Sequence, residues 1–221
     1  MDYAVAKRFG EELLDVREFI RPGTYMVGEL VARQNFARPE DAWAWVLSNI
    51  RYPWGPIDQQ DRHVLMAYLE EETCSFLAPK TCRARFVYEQ DDYWELPSEV
   101  LRDRMADCDG RAFLLTSILR RAFPDLPAYA TVGYYLDYGH VWVAVWQDGT
   151  PPHAGGGWRV METTLDKLPP AMPPEGPPYR PLFRFDDREV LVSRWEVPAR
   201  IRDREKVEKI KAAYRVMGYA S

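Results

Sequence analysis

Cys108 stands between two aspartates in the stretch MADCDGRAFLL, residues 105–115. A cysteine thiolate is a strong nucleophile, but acidic neighbours normally suppress it. The run of helix formers that follows offers a compensation. With Asp107 as N-cap, its side chain is expected to accept from backbone N–H groups, which spends part of its charge. Cys108 then falls in the first helical turn, where the positive end of the helix dipole favours a thiolate. Backbone N–H groups beside it would form one half of an oxyanion hole.

A nucleophilic cysteine needs a base, and the chain has three histidines. His63 reads as part of a helix and His153 as part of a Gly/Pro loop. His140 opens the strand-like run HVWVAVW, in which His140, Trp142, Ala144 and Trp146 share one face and the valines the other. The valines are expected to face the core, leaving His140 on a face lined with aromatics. Glu162, in WRVMETT, lies on the next expected strand. If that strand is antiparallel to the first, any register pairing residues of even sum puts His140 and Glu162 on one face. Asp166 is the fallback. Taken singly, a cysteine opening a helix is usually a small buried hydrophobe, and His140 and Glu162 read as surface residues. Their order in matching elements favours chemistry.

The elements that would position these residues follow from periodicity. AKRFGEELLDVREFI places Phe9, Leu13, Val16 and Ile20 at helical spacing. RPEDAWAWVLSNIRY opens with Pro39 and acids, then carries a stripe of Trp43, Val46, Leu47 and Ile50. DQQDRHVLMAYLEEE reads as a third helix and ARFVYEQ as a short strand. LPSEVLRDRM is another helix entry. GRAFLLTSILRRAFP is apolar on more than one face, so a buried central helix is expected, ended by Pro124. AYATVGYYL, HVWVAVW and WRVMETT are strand-like. Seven prolines between Pro169 and Pro181 make that segment an extended strap. A closing strand or hairpin and a charged C-terminal helix complete the chain. The expected class is α+β: a central helix carrying the cysteine at its N-terminus, packed on an antiparallel sheet. The expected organisation is one domain over 1–221, with 1–90 mainly helical, 93–168 the catalytic core, 169–181 the strap, and 182–221 the closing strands and helix.

Four stretches together resemble the transglutaminase-like superfamily, whose fold is papain-like. They are a helix ending NIRY, the Pro-x-Glu of LPSEVL, the nucleophile stretch ADCDGRAFLLTSILR, and an HVWV strand followed by an ETT strand. By position, the resemblance implies Cys108 as nucleophile, His140 as base and Glu162 as orienting carboxylate. Ala106 stands where the family usually has glycine, and Glu162 where aspartate is commoner. Trp94 and Gln90 are candidates for the second oxyanion donor, and Trp142 for the pocket wall. The resemblance implies acyl transfer from a peptide, isopeptide or side-chain amide carbonyl to water, or to an amine as in a protein-glutamine amine transferase. It implies no metal or organic cofactor. The same fold also serves as a non-catalytic binding or structural subunit of larger assemblies, such as a phage particle, and that is the alternative reading.

Composition bounds the rest. The chain has 221 residues, 47% hydrophobic and 14% aromatic, enough for a sizeable core. Its net charge of -5 argues against a nucleic-acid partner. No stretch approaches the roughly 18 apolar residues of a membrane span. The N-terminal MDYAVAKRFGEELLDV has no secretory h-region, so the expected location is cytoplasmic, or virion-associated if phage-encoded, and not Sec-exported. Cys74, Cys82 and Cys108 are too few for a disulfide scaffold, and the spacing of Cys74 and Cys82 matches no common zinc pattern. The expected partner is a peptide or protein substrate, with an assembly partner under the alternative reading.

Overall fold

A computed structural model describes residues 5–8, 12–53, 66–74, 82–89, 94–136, 138–147 and 157–192. These residues fall into two compact units. One holds two antiparallel pairs, β1 (Val5–Arg8) with β2 (Glu12–Asp15) and β3 (Met66–Cys74) with β4 (Cys82–Glu89). The other begins with a 3-10 turn, Val16–Phe19, and helices α1 (Tyr25–Gln34) and α2 (Pro39–Asn49). It continues with α3 (Pro97–Asp103) and α4 (Cys108–Ala122). Strands β5 (Ala128–Tyr135), β6 (Tyr138–Trp146), β7 (Trp158–Met161), β8 (Tyr179–Phe185) and β9 (Val190–Val192) complete it.

The five strands form one antiparallel sheet in the order β7-β6-β5-β8-β9. On one face lie Val141, Val143 and Val145 with their ladder partners Val132, Ala130 and Ala128 and, beyond them, Phe183 and Phe185. Phe113 of α4 packs against Phe185 at 5.6 Å, so this is the face the central helix covers. Phe113, Leu114, Leu115, Ile118 and Leu119 are all fully buried, each contributing about 2 kcal/mol by leaving water. The valines therefore face the core, as their alternation implied.

The other face carries Trp142, Ala144 and Val160, packed with Trp158 and Tyr179. The proline-rich strap closes it. The strap pairs with β7 through Val160 N→Pro173 O and Glu175 N→Trp158 O, both 2.9 Å. It then crosses to enter β8 at Tyr179. Glu175 pins the crossing: it accepts from Trp142 Nε1 at 2.9 Å and pairs with Arg184 at 2.7 Å. The Arg184 guanidinium lies 4.0 Å from the Trp158 ring centroid.

The helix starts follow local chemistry. In α2, Pro39 occupies the first turn and Asp41 accepts from the backbone N–H of Arg38 at 2.9 Å. In α3, Glu99 accepts from Leu96 N at 2.7 Å. Trp43, Val46 and Ile50 of the expected α2 stripe are buried, with Ala42 completing the face rather than Leu47.

Three expectations fail locally. The segment 6–20 is not one helix: its described residues hold β1, β2 and the 3-10 turn. The segment 58–72, expected as a helix, carries most of β3. Its contiguous apolar run fits either period, and the partner strand β4 decides it. The described residues of 1–90, expected to be mainly helical, thus hold α1 and α2 but also β1 to β4. The C-terminal helix expected after Pro198, and both His63 and His153, lie outside the described residues. No helix among the described residues is long and apolar enough to cross a membrane.

Candidate active site

Cys108 is the first residue of α4 and is partly buried. The loop before it is tied down by a parallel bridge, with Arg51 N→Arg104 O at 2.8 Å and Ala106 N→Arg51 O at 3.1 Å. Asp107 is the N-cap by backbone, and its carbonyl accepts from Arg111 N at 3.1 Å. Its side chain makes no capping hydrogen bond, contrary to expectation. The carboxylate turns instead toward two others. Glu95, Asp107 and Asp109 each place an oxygen within 4.8 Å of one another, an all-oxygen set of the kind hard divalent cations accept. Glu95 and Asp109 are buried. Gly110 is required there, because a Cβ would overlap Glu95 Oε2 and Ala106 Cβ.

His140 sits near the start of β6, and its Nε2 lies 2.8 Å from Glu162 Oε2. The ladder explains the meeting. Val143 opposes Met161 and Ala144 opposes Val160, a register of even sum, so Glu162 emerges opposite Trp142 on the face of His140. Gly133 opposes His140 in the ladder with β5. A Cβ there would strike the Arg180 carbonyl and the Trp142 ring.

Glu162 is 6% exposed and held on both oxygens. Oε1 accepts from Thr164 N at 2.9 Å and from Thr164 Oγ1 at 2.8 Å. Oε2 accepts from His140 Nε2 and, at 3.0 Å, from Tyr179 Oη. Its backbone carbonyl accepts from the buried Trp43 indole at 2.8 Å. Burial pushes the carboxyl up, but the hydrogen bond and charge of His140 and the two bonds from Thr164 outweigh it and hold it below the usual carboxylate value. The carboxylate is therefore ionised at neutral pH, Nε2 of His140 carries the hydrogen between them, and Nδ1 is left as the second ring nitrogen. The neighbouring Thr163 hydroxyl lies 3.4 Å from the Cys108 carbonyl, which puts the acid's turn against the tip of α4.

Two more charged or polar groups share this end. The Arg111 guanidinium lies 5.8 Å from the Tyr52 ring centroid. Burial lowers Arg111 to about 10, against the opposing pull of Tyr52, Glu162 and Asp166. Burial raises the Tyr52 phenol, and the charges of Cys108, Asp107, Asp109 and Glu162 raise it further. Tyr52 ends the NIRY stretch, and Arg111 is a buried cation in the first turn of α4. Neither was marked for chemistry in the sequence.

The other expected site residues are placed as follows. Trp142 is fully buried, stacks on His140 at 6.1 Å, and commits its indole N–H to Glu175. Trp94 is buried in the aromatic cluster with Phe19, Phe113 and Phe185, one residue before Glu95. Gln90 lies outside the described residues. Asp166 is exposed, and Glu162 holds His140 instead. Cys74 and Cys82 are ladder partners in β3 and β4.

No family model matches this sequence, and no curated protein matches it significantly. Among solved structures, it is similar to LapG of Legionella pneumophila. The EGTA-treated form is 16% identical over 76% of this chain and 75% of LapG, with a TM-score of 0.48. A second LapG structure is 14% identical over 84% and 86%, with a TM-score of 0.47. The calcium-bound form is 13% identical over 80% and 98%, with a TM-score of 0.38. Likeness at this level is one of chain path, and function has to be argued from the site.

Proposed function

We propose that the protein is a cysteine-dependent acyl-transfer enzyme that cleaves a peptide, isopeptide or side-chain amide bond. The observation that carries this reading is the 2.8 Å His140–Glu162 pair, built at the end of the sheet where Cys108 opens a 15-residue helix. Cys108 attacks the carbonyl carbon as a thiolate. The oxyanion that forms is met by the backbone N–H at the tip of α4, at the positive end of the helix dipole. His140 takes the thiol proton through Nδ1, since Nε2 faces Glu162, and returns it to the departing amine. Collapse leaves a thioester on Cys108, which water then hydrolyses with His140 as base. Glu162 stabilises the imidazolium and fixes its ring.

The test is iodoacetamide labelling of Cys108 against pH, with His140→Ala as control. Rapid labelling at pH 6, lost in His140→Ala, is expected; a free thiol with pKa about 8.5 would be only about 0.3% thiolate there. Slow labelling indifferent to His140 refutes the proposal.

A further inference from the structure

Glutamate has one more rotatable bond than aspartate, so a glutamate acting as an orienting acid must be restrained more fully to give the same geometry. Glu162 is restrained by four hydrogen bonds from three places: His140 on β6, Thr164 in its own turn, and Tyr179 at the end of the strap. We propose that Tyr179 is a positioning residue of this site: its hydroxyl, delivered by the proline-rich strap, fixes the Glu162 carboxylate in the orientation that receives His140. The proposal rests on the triad reading above.

Tyr179 is held from every side. Its N–H donates to Gly176 O at 2.8 Å, and Leu136 N donates to the preceding carbonyl, Pro178 O, at 3.1 Å. In the ladder Tyr179 opposes Tyr135. Its ring packs on Tyr135 at 5.0 Å and on Trp142 at 5.2 Å. The same two rings flank His140, at 6.0 Å and 6.1 Å. The Tyr135 and Trp142 rings thus pack against both His140 and Tyr179, a contact that does not involve the Tyr135 hydroxyl in the proposed role. Upstream, Glu175 bolts the strap to Trp142 and Arg184. Gly133 leaves room for Arg180 and Pro181 to approach.

The groups facing Glu162 are His140, Tyr179, Tyr52 and Arg111, with Thr164 as the neutral donor. Burial, then the charge and hydrogen bond of Glu162, raise the Tyr179 phenol well above its ordinary range. It therefore donates wherever the carboxylate is ionised. A hydrogen bond to an ionised group favours that ionisation, so removing it raises the acid's titration midpoint.

The experiment compares wild type, Tyr179→Phe and Tyr135→Phe, the last at an exposed ring of the same cluster. Phenylalanine keeps the ring contacts, and circular dichroism checks the fold. Glu162 is followed by carbonyl-carbon NMR, assigned with Glu162→Gln. In Tyr179→Phe its midpoint is expected to rise by about one pH unit. The acid limb of Cys108 labelling should rise with it, while the rate above that limb changes less than about twofold. Tyr135→Phe should move neither. An unmoved Glu162 midpoint in Tyr179→Phe, or an equal shift in Tyr135→Phe, overturns the proposal. If Glu162→Gln slows labelling but Tyr179→Phe leaves its limb unmoved, the role of Tyr179 alone has failed. If Glu162→Gln leaves labelling untouched, the triad reading has failed with it.

Discussion

Replacing Glu162 by glutamine tests the centre of the site, because it changes charge with little change of shape. The side chains of His140 and Glu162 are 13% and 8% exposed, so solvent screens their pairing weakly. At roughly 4 Å between charge centres and an effective dielectric of about 20, imidazolium and carboxylate attract by about 4 kcal/mol. Desolvation of the pair takes back part of this, leaving about 2–3 kcal/mol to favour the imidazolium–thiolate state. Losing that amount lowers the labelling rate of Cys108 at pH 6 by roughly 30- to 150-fold. The amide also carries an NH2 group that must face donors whichever way it turns: Thr164 N and Oγ1 on one side, His140 and Tyr179 on the other. That mismatch costs about 1–3 kcal/mol of stability, so labelling is read at a temperature where urea denaturation shows the variant folded. Glu162→Asp, which keeps the charge on a shorter arm, should lose less reactivity than Glu162→Gln. A folded Glu162→Gln that labels at the wild-type rate at pH 6 would refute the reasoning.

Two further outcomes follow from the same residues. Gly133→Ala forces a Cβ against the Arg180 carbonyl, the Trp142 ring and Pro181 Cα; backbone cannot yield as a flexible side chain would, so a loss of about 1–3 kcal/mol by urea denaturation is expected, with slower Cys108 labelling because His140 lies opposite. Glu162 is held below 4.5 in the folded protein, so it contributes stability above its unfolded value that is lost as pH falls through the folded one. The stability gap between wild type and Glu162→Gln should therefore narrow as pH falls below about 4.5; Asp186, whose carboxyl burial raises, is common to both proteins and cancels in the difference.

What could be read from the sequence was what local chemistry decides. Pro39 with its acids, Pro97 with Glu99, and Cys108 ahead of a run of helix formers each mark a helix start in the residues themselves, and α2, α3 and α4 begin there. Parity carried the pairing of His140 with Glu162: it needs only antiparallel strands and an even register, not the course of the loop between them. The segment 58–72 failed because its apolar run satisfies both periods, and its partner β4 is not a local property.

The residues that complete the site were hidden for the same reason. Tyr52 reaches the tip of α4 only because Arg51 bridges Met105 across the fold. Tyr179 reaches Glu162 only because the strap crosses the sheet at Glu175. A proline-rich composition says that a segment is extended; it does not say what lies beneath it. The side-chain role of Asp107 was misread in the opposite direction. A local rule made it a cap, but Glu95, brought in from 12 residues upstream, places its carboxylate beside those of Asp107 and Asp109. The cysteine's acidic flank is thus a tertiary feature. The dipole of α4 and the buried Arg111 one turn along the helix oppose it, and the reactivity of Cys108 at pH 6 measures which of the two prevails.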